Sequence, residues 1–345
     1  MISQSNIRSD RKYDMKIDAK QLERTAMTAL SKLTSQENAA QQVDLLLEAD
    51  LRGVASHGML RLPRIIRRIR NGVADPAQTG QHDWRGSALL QVDGRNGLGP
   101  IVANAAIAAL ESRISETGVA VAAIRNSNHL GMLGYYAERA ALKGLTMIAL
   151  TTSEALVHPW GGRRAMIGTN PIAIGLPAGR KGQADVFMMD AATSLVSMGE
   201  IHDHANRGMA IPDDWALDAE GRPTTDASAA KSGAIAPFGK AKGYALGLAF
   251  ELLVTSLSRA AIGRDVTGTL DDTTTCNKGD LFILIDGPGY DLRPYLQALR
   301  DEAPAEGFTQ VTIPGERGRA ARDQRLRDGV DLPEPLWQEI CDLAR

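Results

Sequence analysis

The residues Ser56-His57-Gly58-Met59-Leu60-Arg61 put a proton carrier and an anion anchor within one short stretch of chain. An imidazole titrates near neutral pH and so can take or give a proton. An arginine fork donates two parallel hydrogen bonds to a carboxylate. Hydride exchange with a 2-keto or 2-hydroxy acid needs both. Ser56 either bonds the same substrate or braces the turn, and a turn-closing structural role is the plain alternative for His57.

A second histidine, His129, is placed at the start of a helix that follows a strand, where outward-pointing peptide N–H groups favour an anion. His202 and His204 form a His-x-His pair that on a strand would turn both rings to one face. Metal ligation there needs at least one more ligand. A loop setting without a nearby cysteine supplies none, so no metal is expected. The familiar nucleotide-binding turns are absent. The cluster from Gly94 to Pro100 lacks the last glycine of GxGxxG and has proline where a helix should open. The stretch from Gly233 to Lys240 is one residue too long for a phosphate loop and runs into Ala241.

Several helices and strands must position these groups. Asp18 with Gln21 reads as a capping box for a helix through Leu22, Ala26, Leu30 and Leu33. Thr34 or Ser35 opens a second helix with an apolar face at Val43, Leu46, Leu47 and Leu51, ending at Gly53. Pro63 suits the first turn of a third, whose buried stripe is Leu62, Ile65, Ile66 and Ile69, with Arg64, Arg67, Arg68 and Arg70 mostly on the wet side. From residue 88 the pattern alternates: strands near 88–92, 119–124, 145–150, 172–176, 186–189 and 281–285, and helices near 101–114, 129–143 and 335–344. A buried helix is expected over 244–257, and mostly loop over 201–237. Alternating strands and helices argue an α/β fold.

The chain has 345 residues, 43% hydrophobic and 23% charged, enough for two or three structural units. A formal net charge of -2 excludes a strongly basic nucleic-acid binder. Two cysteines, Cys276 and Cys341, make no disulfide framework and no zinc spacing. No apolar run approaches a membrane span, and residues 1–14 read as a disordered tail rather than a signal peptide. A cytoplasmic protein is expected.

Six motifs occur in order: Ser56-His57-Gly58 with Arg61; Asn126-Ser127-Asn128-His129 with Gly131; Gly161-Gly162 through Gly168-Thr169-Asn170-Pro171; Asp190-Ala191-Ala192-Thr193-Ser194; Lys242-Gly243; and Pro314-Gly315-Glu316. Together, over residues 18–340, they resemble the malate/L-lactate dehydrogenase superfamily that lacks a Rossmann fold. Its members include sulfolactate, ureidoglycolate and diketogulonate oxidoreductases and piperideine-2-carboxylate reductases. The resemblance implies a homodimer with a non-Rossmann, sheet-based cofactor-binding domain, flanked by an N-terminal helical domain and a smaller helical region. The boundaries expected are 15–80 with 318–345 for the helical domain, 85–200 with 275–317 for the cofactor domain, and 201–274 for the remaining loop and helical region.

It further implies an NAD- or NADP-dependent enzyme without a metal. His57 would carry the proton and Asp190 would orient it, with His129 either the acid/base in its place or a cofactor contact. Arg61, Ser56 and Thr169 would bind the substrate. Ser153, Gly168, Asn170 and Met189 fall to the nicotinamide side, together with Asp190. Lys242, Gly315, Glu316 and Arg317 fall to the phosphates and adenosine. Two departures stand out: Ala191 where methionine follows the aspartate, and Lys240 where the turn before Lys242 often has glycine. Reduction of a cyclic imino acid is a close rival. A metal-dependent hydrolase built on His57, His129 and His202 or His204, and a catalytically silent ligand binder, are the rivals from other classes.

Overall fold

The computed structural model describes residues 14–179 and 185–345. Residues 1–13 of the expected tail lie outside this range; Asp14 already belongs to a paired strand. The chain runs through β1 (Asp14–Ile17), α1 (Ala19–Leu30), α2 (Gln36–Leu51), two single 3-10 turns (Ala55–His57 and Met59–Arg61), α3 (Leu62–Arg70), β2 (Gln81–Arg85) and β3 (Leu89–Asp93). It continues with α4 (Gly99–Thr117), β4 (Val119–Arg125), α5 (Leu133–Leu142), β5 (Thr146–Thr151), β6 (Ile172–Pro177) and β7 (Val186–Ala191). Then come α6 (Met198–Asn206), β8 (Ala216–Leu217), α7 (Ala227–Ala230), β9 (Ala234–Ile235) and α8 (Ala241–Ser258). The last elements are β10 (Gly279–Ile285), α9 (Arg293–Arg300), α10 (Glu316–Asp328), β11 (Val330–Pro333) and α11 (Glu334–Ala344).

Local chemistry sets the helix ends. The Asp18 carboxylate accepts the Gln21 N–H at 2.9 Å, and Ser35 Oγ accepts that of Asn38 at 3.2 Å, each satisfying a donor with no partner inside its helix. α2 stops at Arg52, after which Gly53 takes the left-handed conformation. Long-range pairing then joins the two ends of the chain. β1 runs antiparallel to β11, and Leu22, Leu30, Leu46, Leu62, Ile66, Trp337 and Ile340 share one core.

The central sheet has the order β2-β3-β4-β10-β5-β6-β7, and only β3 and β4 are parallel neighbours. A Rossmann sheet is parallel throughout its nucleotide-binding halves, so this fold is a different α/β architecture. β10 arrives more than 120 residues after β5 in the chain and inserts between β4 and β5. Helices α4 and α5 cover one face through Leu110, Tyr136 and Phe282; α8 covers part of the other through Val254, against Leu150 and Leu281.

Four expectations need correction. The segment 201–237 is largely loop, but His202 and His204 do not lie in it as a loop pair: α6 carries both, because Ser197 caps that helix by accepting the Glu200 N–H. α5 begins at Leu133 rather than at residue 129. α8 is not a buried helix. Only Gly243, Gly247, Glu251, Val254 and Ser258 are fully buried, a narrow stripe repeating every three or four residues, flanked by half-buried Tyr244, Leu248, Phe250 and Leu257, while Leu246, Leu252 and Leu253 stay exposed. Arg68 is buried rather than wet, since the loop at 271–274 closes over it and supplies carbonyls.

Candidate active site

The Ser56-His57-Gly58 hinge is shaped by an acid at the end of α2. The buried Asp50 carboxylate accepts the Met59 N–H at 2.7 Å. It fills the space beside Gly58, where an added Cβ would lie 2.2 Å from it. Only glycine lets the chain pass this close. Burial raises the Asp50 pKa from 3.8 to about 7, with the Met59 N–H and the Arg325 guanidinium pulling the other way. Ion pairs through Glu48, Arg52, Glu138, Arg319 and Arg322 fasten α2, α5 and α10 to one another. The hinge is therefore fixed against the loop that carries the second histidine.

The fold stacks His57 on His129, ring centroids 5.2 Å apart and planes inclined by 37°. His57 Nδ1 lies 2.9 Å from Ser56 Oγ. His129 Nδ1 accepts the Gly131 N–H at 2.8 Å. A peptide N–H can only donate, so the neutral His129 ring keeps its proton on Nε2. A hydroxyl can do both, so His57 is free to hold its proton on either nitrogen. His129 therefore sits in the loop before α5, not at the helix start.

Both rings are neutral in the free protein. Burial, then Arg61, lowers the His57 pKa to about 3. Burial followed by Arg61, His57 and Lys278 holds His129 well below its ordinary value. Arg61 gives its Nε to the Ser56 carbonyl at 2.7 Å and leaves both terminal nitrogens without a partner among the described residues. A guanidinium oriented at one end and free at the other is what a bidentate carboxylate grip requires.

Asp190 ends up elsewhere than the expected pairing has it. At the end of β7 it accepts the Gly134 N–H at 2.6 Å, occupying the N-terminus of α5. Among the described residues no hydrogen bond joins it to His57, whose Nδ1 faces Ser56 instead. Protein crowds Asp190 on most sides and pushes its carboxyl upward, although one side stays open to solvent. Gly134 permits the contact, because a Cβ there would come 2.8 Å from Met188 Sδ and 3.1 Å from Asp190 Oδ2.

The remaining sequence candidates fall into two groups. Ser153, Gly168, Thr169 and Asn170 form one turn: Ser153 Oγ accepts the Thr169 N–H at 3.0 Å. Glu251 of α8 accepts from Gly168 N at 3.0 Å and Asn170 Nδ2 at 2.6 Å. Asn170 Oδ1 is buried without a hydrogen-bond partner. Thr193, from the segment after Asp190, donates to the Thr169 carbonyl at 2.9 Å and so ties this turn to β7. Gly315 also reaches β7, where a Cβ would lie 2.7 Å from the Met188 carbonyl, and Met189 is half-buried on the same strand. Glu316 is spent locally, on Ile313 N and Arg300, while Arg317 and Lys242 are exposed. Lys240 adopts φ +59°, a conformation in which glycine is at ease and a lysine is strained. His204 packs edge-on against Trp215, and no group of three or more metal-binding side chains exists among the described residues.

Sequence reasoning passed over several residues that build this site. Ser127 Oγ and Lys278 Nζ both donate to the Asp280 carboxylate in a buried cluster that holds the segment before His129. A lysine and an aspartate two apart at the mouth of an apolar strand share one face, and this was the available signal. Asp50 sits among the apolar positions of α2, itself a sign of a buried acid with a job.

The sequence model of the malate/L-lactate dehydrogenase family matches residues 17–341. The chain is 36% identical over 308 residues to L-sulfolactate dehydrogenase of Methanothermobacter thermautotrophicus, covering 88% of each protein. It is 34% identical over 300 residues to the NADP(+) (2R)-3-sulfolactate dehydrogenase of Chromohalobacter salexigens, 86% of this chain and 87% of the other. With the NAD(+) ureidoglycolate dehydrogenase of Escherichia coli K12 it shares 31% over 320 residues, 89% of each. Among solved structures, a dehydrogenase from Sinorhizobium meliloti superposes with a TM-score of 0.91 at 49% identity, covering 96% of this chain and 98% of that one. The delta1-piperideine-2-carboxylate reductase of Pseudomonas syringae superposes at 0.83 with 28% identity, covering 95% and 99%. The non-Rossmann sheet and the paired histidines thus stand in an oxidoreductase scaffold. The chain belongs to the malate/L-lactate dehydrogenase family.

Proposed function

We propose that the protein is an NAD- or NADP-dependent dehydrogenase of small 2-hydroxy acids. The observation that carries this reading is the contact of two neutral imidazoles beside an arginine whose terminal nitrogens are free. A nicotinamide dinucleotide, when bound, supplies the hydride acceptor and donor. The residues suit it. The hydroxyls of Ser153 and Thr169 and the unpartnered Asn170 oxygen lie in one turn, and an amide-bearing ring offers the donor that oxygen lacks. Lys242 and the Gly315-Glu316-Arg317 turn are assigned to phosphates and adenosine. Both cofactors are represented among the relatives' names, and the exposed lysines at the start of α8 suit either.

Arg61 holds the substrate carboxylate and Ser56 steadies the imidazole beside it. His57 takes the hydroxyl proton on oxidation and returns it on reduction. His129 is the weaker candidate for a base, because baring its Nε2 would put a proton on Nδ1 against the Gly131 N–H. It serves instead as an Nε2–H donor to the reacting oxygen. Asp190 holds the N-terminus of α5 through Gly134 and so braces the end of the loop that carries His129. Neutral His57 matches the base role, and an anionic substrate on Arg61 offsets the charge that depresses its pKa.

Cyclic imine reduction is the second reading, favoured by the likeness to the piperideine-2-carboxylate reductase. Following nicotinamide absorbance with hydroxy acids, keto acids and cyclic imines under each cofactor tests both. Turnover of imines alone would overturn the first reading. The exposed apolar side of α8 supports a homodimer, which sedimentation measures directly. Two unpaired thiols support a reducing, cytoplasmic setting. No helix among the described residues is long and apolar enough to cross a membrane.

A further inference from the structure

The arginines of α3 are treated differently by the fold. Arg67 pairs with Asp272 at 2.7 Å and Glu339 at 3.0 Å. Arg68 gives Nε to Asn128 at 2.9 Å and its two ends to the carbonyls of Asp271 and Thr274 at 2.7 and 3.0 Å. Arg70 lies exposed at the helix end. Arg64 alone is half-buried with no hydrogen bond or ion pair to any described residue.

It follows Arg61 by three residues, so the two side chains leave the same side of the turn. Both line a cavity of about 30 Å³ whose wall also includes Asn128 and His129 and, among the described residues, no carboxylate. Burial and then the Arg64 charge make the Arg61 guanidinium easier to deprotonate, and after burial both arginines disfavour a charged His129. An arginine kept for stability alone would be matched with an acid, as Arg67 is. Two unmatched cations on one wall are instead arranged for a ligand that brings negative charge. The cavity has room for about two water-sized groups, too little for a whole substrate and suited to one terminal anionic group.

We propose that Arg64 is a second anion clamp of this site, so that the favoured substrate is a 2-hydroxy acid with a further carboxylate or sulfonate on its carbon chain. The proposal rests on the dehydrogenase reading above. Arg61 takes the carboxylate next to the reacting carbon, and Arg64 takes the distal group. Loss of a charge-assisted hydrogen-bond pair is worth about 10- to 100-fold in binding.

The experiment compares malate, 3-sulfolactate and lactate with wild type, Arg64→Gln and Arg64→Lys. Wild type should favour the two dianions over lactate. Arg64→Gln should lower kcat/KM for both dianions by about 10- to 100-fold, chiefly through KM, and lower that for lactate far less; Arg64→Lys should recover part of the loss. The ratio of malate to sulfolactate turnover shows which anionic group the clamp fits. Equal losses on lactate and malate, or a wild-type preference for lactate, overturn the proposal. Calorimetric binding of succinate and butyrate gives a readout independent of turnover: wild type should prefer succinate, and Arg64→Gln should not. If no acid is oxidised with either cofactor, the dehydrogenase reading fails, while the succinate comparison still decides the role of Arg64. Unchanged thermal melting of Arg64→Gln is expected, because no described residue depends on that side chain; should melting fall, Arg64→Lys carries the comparison.

Discussion

Asp50 is the acid on which the hinge is built, and its charge state should be visible in stability. Only 3% of its surface is exposed, and burial lifts its pKa from 3.8 to about 7. The folded chain therefore keeps a proton on Asp50 at pH values where the unfolded chain has lost it. The stability this contributes is complete below pH 3.8 and is lost as pH rises through about 7. At about 1.4 kcal/mol per pH unit, the whole window amounts to roughly 4 kcal/mol, and the part between pH 5 and 7, where Asp50 is half ionised at the upper limit, to roughly 2 kcal/mol. Asp50→Asn keeps an oxygen for the Met59 N–H but cannot ionise. Its stability relative to wild type should accordingly rise by roughly 2 kcal/mol from pH 5 to pH 7 and level off by about pH 8. Urea denaturation of both proteins at pH 5, 6, 7 and 8 measures this difference. A difference that stays level across the series would refute the idea that a protonated acid organises the turn. One that falls would mean that Arg325 and the amide stabilise the carboxylate more than burial penalises it.

Other outcomes follow from the same geometry. His57→Ala should lower kcat by about 10²- to 10⁴-fold with little change in cofactor affinity, and His129→Ala should cost less; the reverse order in a nicotinamide absorbance assay would transfer the base role to His129. Gly134→Ala places a methyl 2.8 Å from Met188 Sδ and 3.1 Å from Asp190, and should lower stability by about 1–3 kcal/mol together with turnover, read by melting and rate. Glu251→Gln keeps one acceptor and sets its N–H₂ against either the Gly263 N–H or the Gly168 and Asn170 donors, and should cost about 1–3 kcal/mol in urea and weaken dinucleotide binding in a fluorescence titration. Unchanged binding in that variant would separate the Gly168–Asn170 turn from the cofactor.

What could be read from the sequence alone was what neighbours in the chain decide. Asp18 and Ser35 cap their helices because the donor each satisfies lies three residues away. The Ser56-to-Arg61 stretch announces its chemistry for the same reason, and the missing GxGxxG already excluded a Rossmann turn. Interactions between distant residues were beyond such reading. Nothing near residue 279 says that its strand will separate β4 from β5, or that Lys278 and Asp280 will close on Ser127, 153 positions from Asp280. The arginines of α3 are alike in composition and spacing, yet one pairs with acids, one is buried under a loop 200 residues further on, and one is left free. Helical periodicity likewise marks α8 as apolar without showing which side has a partner. Tertiary packing settled these points, since burial and charge pairing depend on what is brought alongside, and periodicity records only which residues leave a helix together.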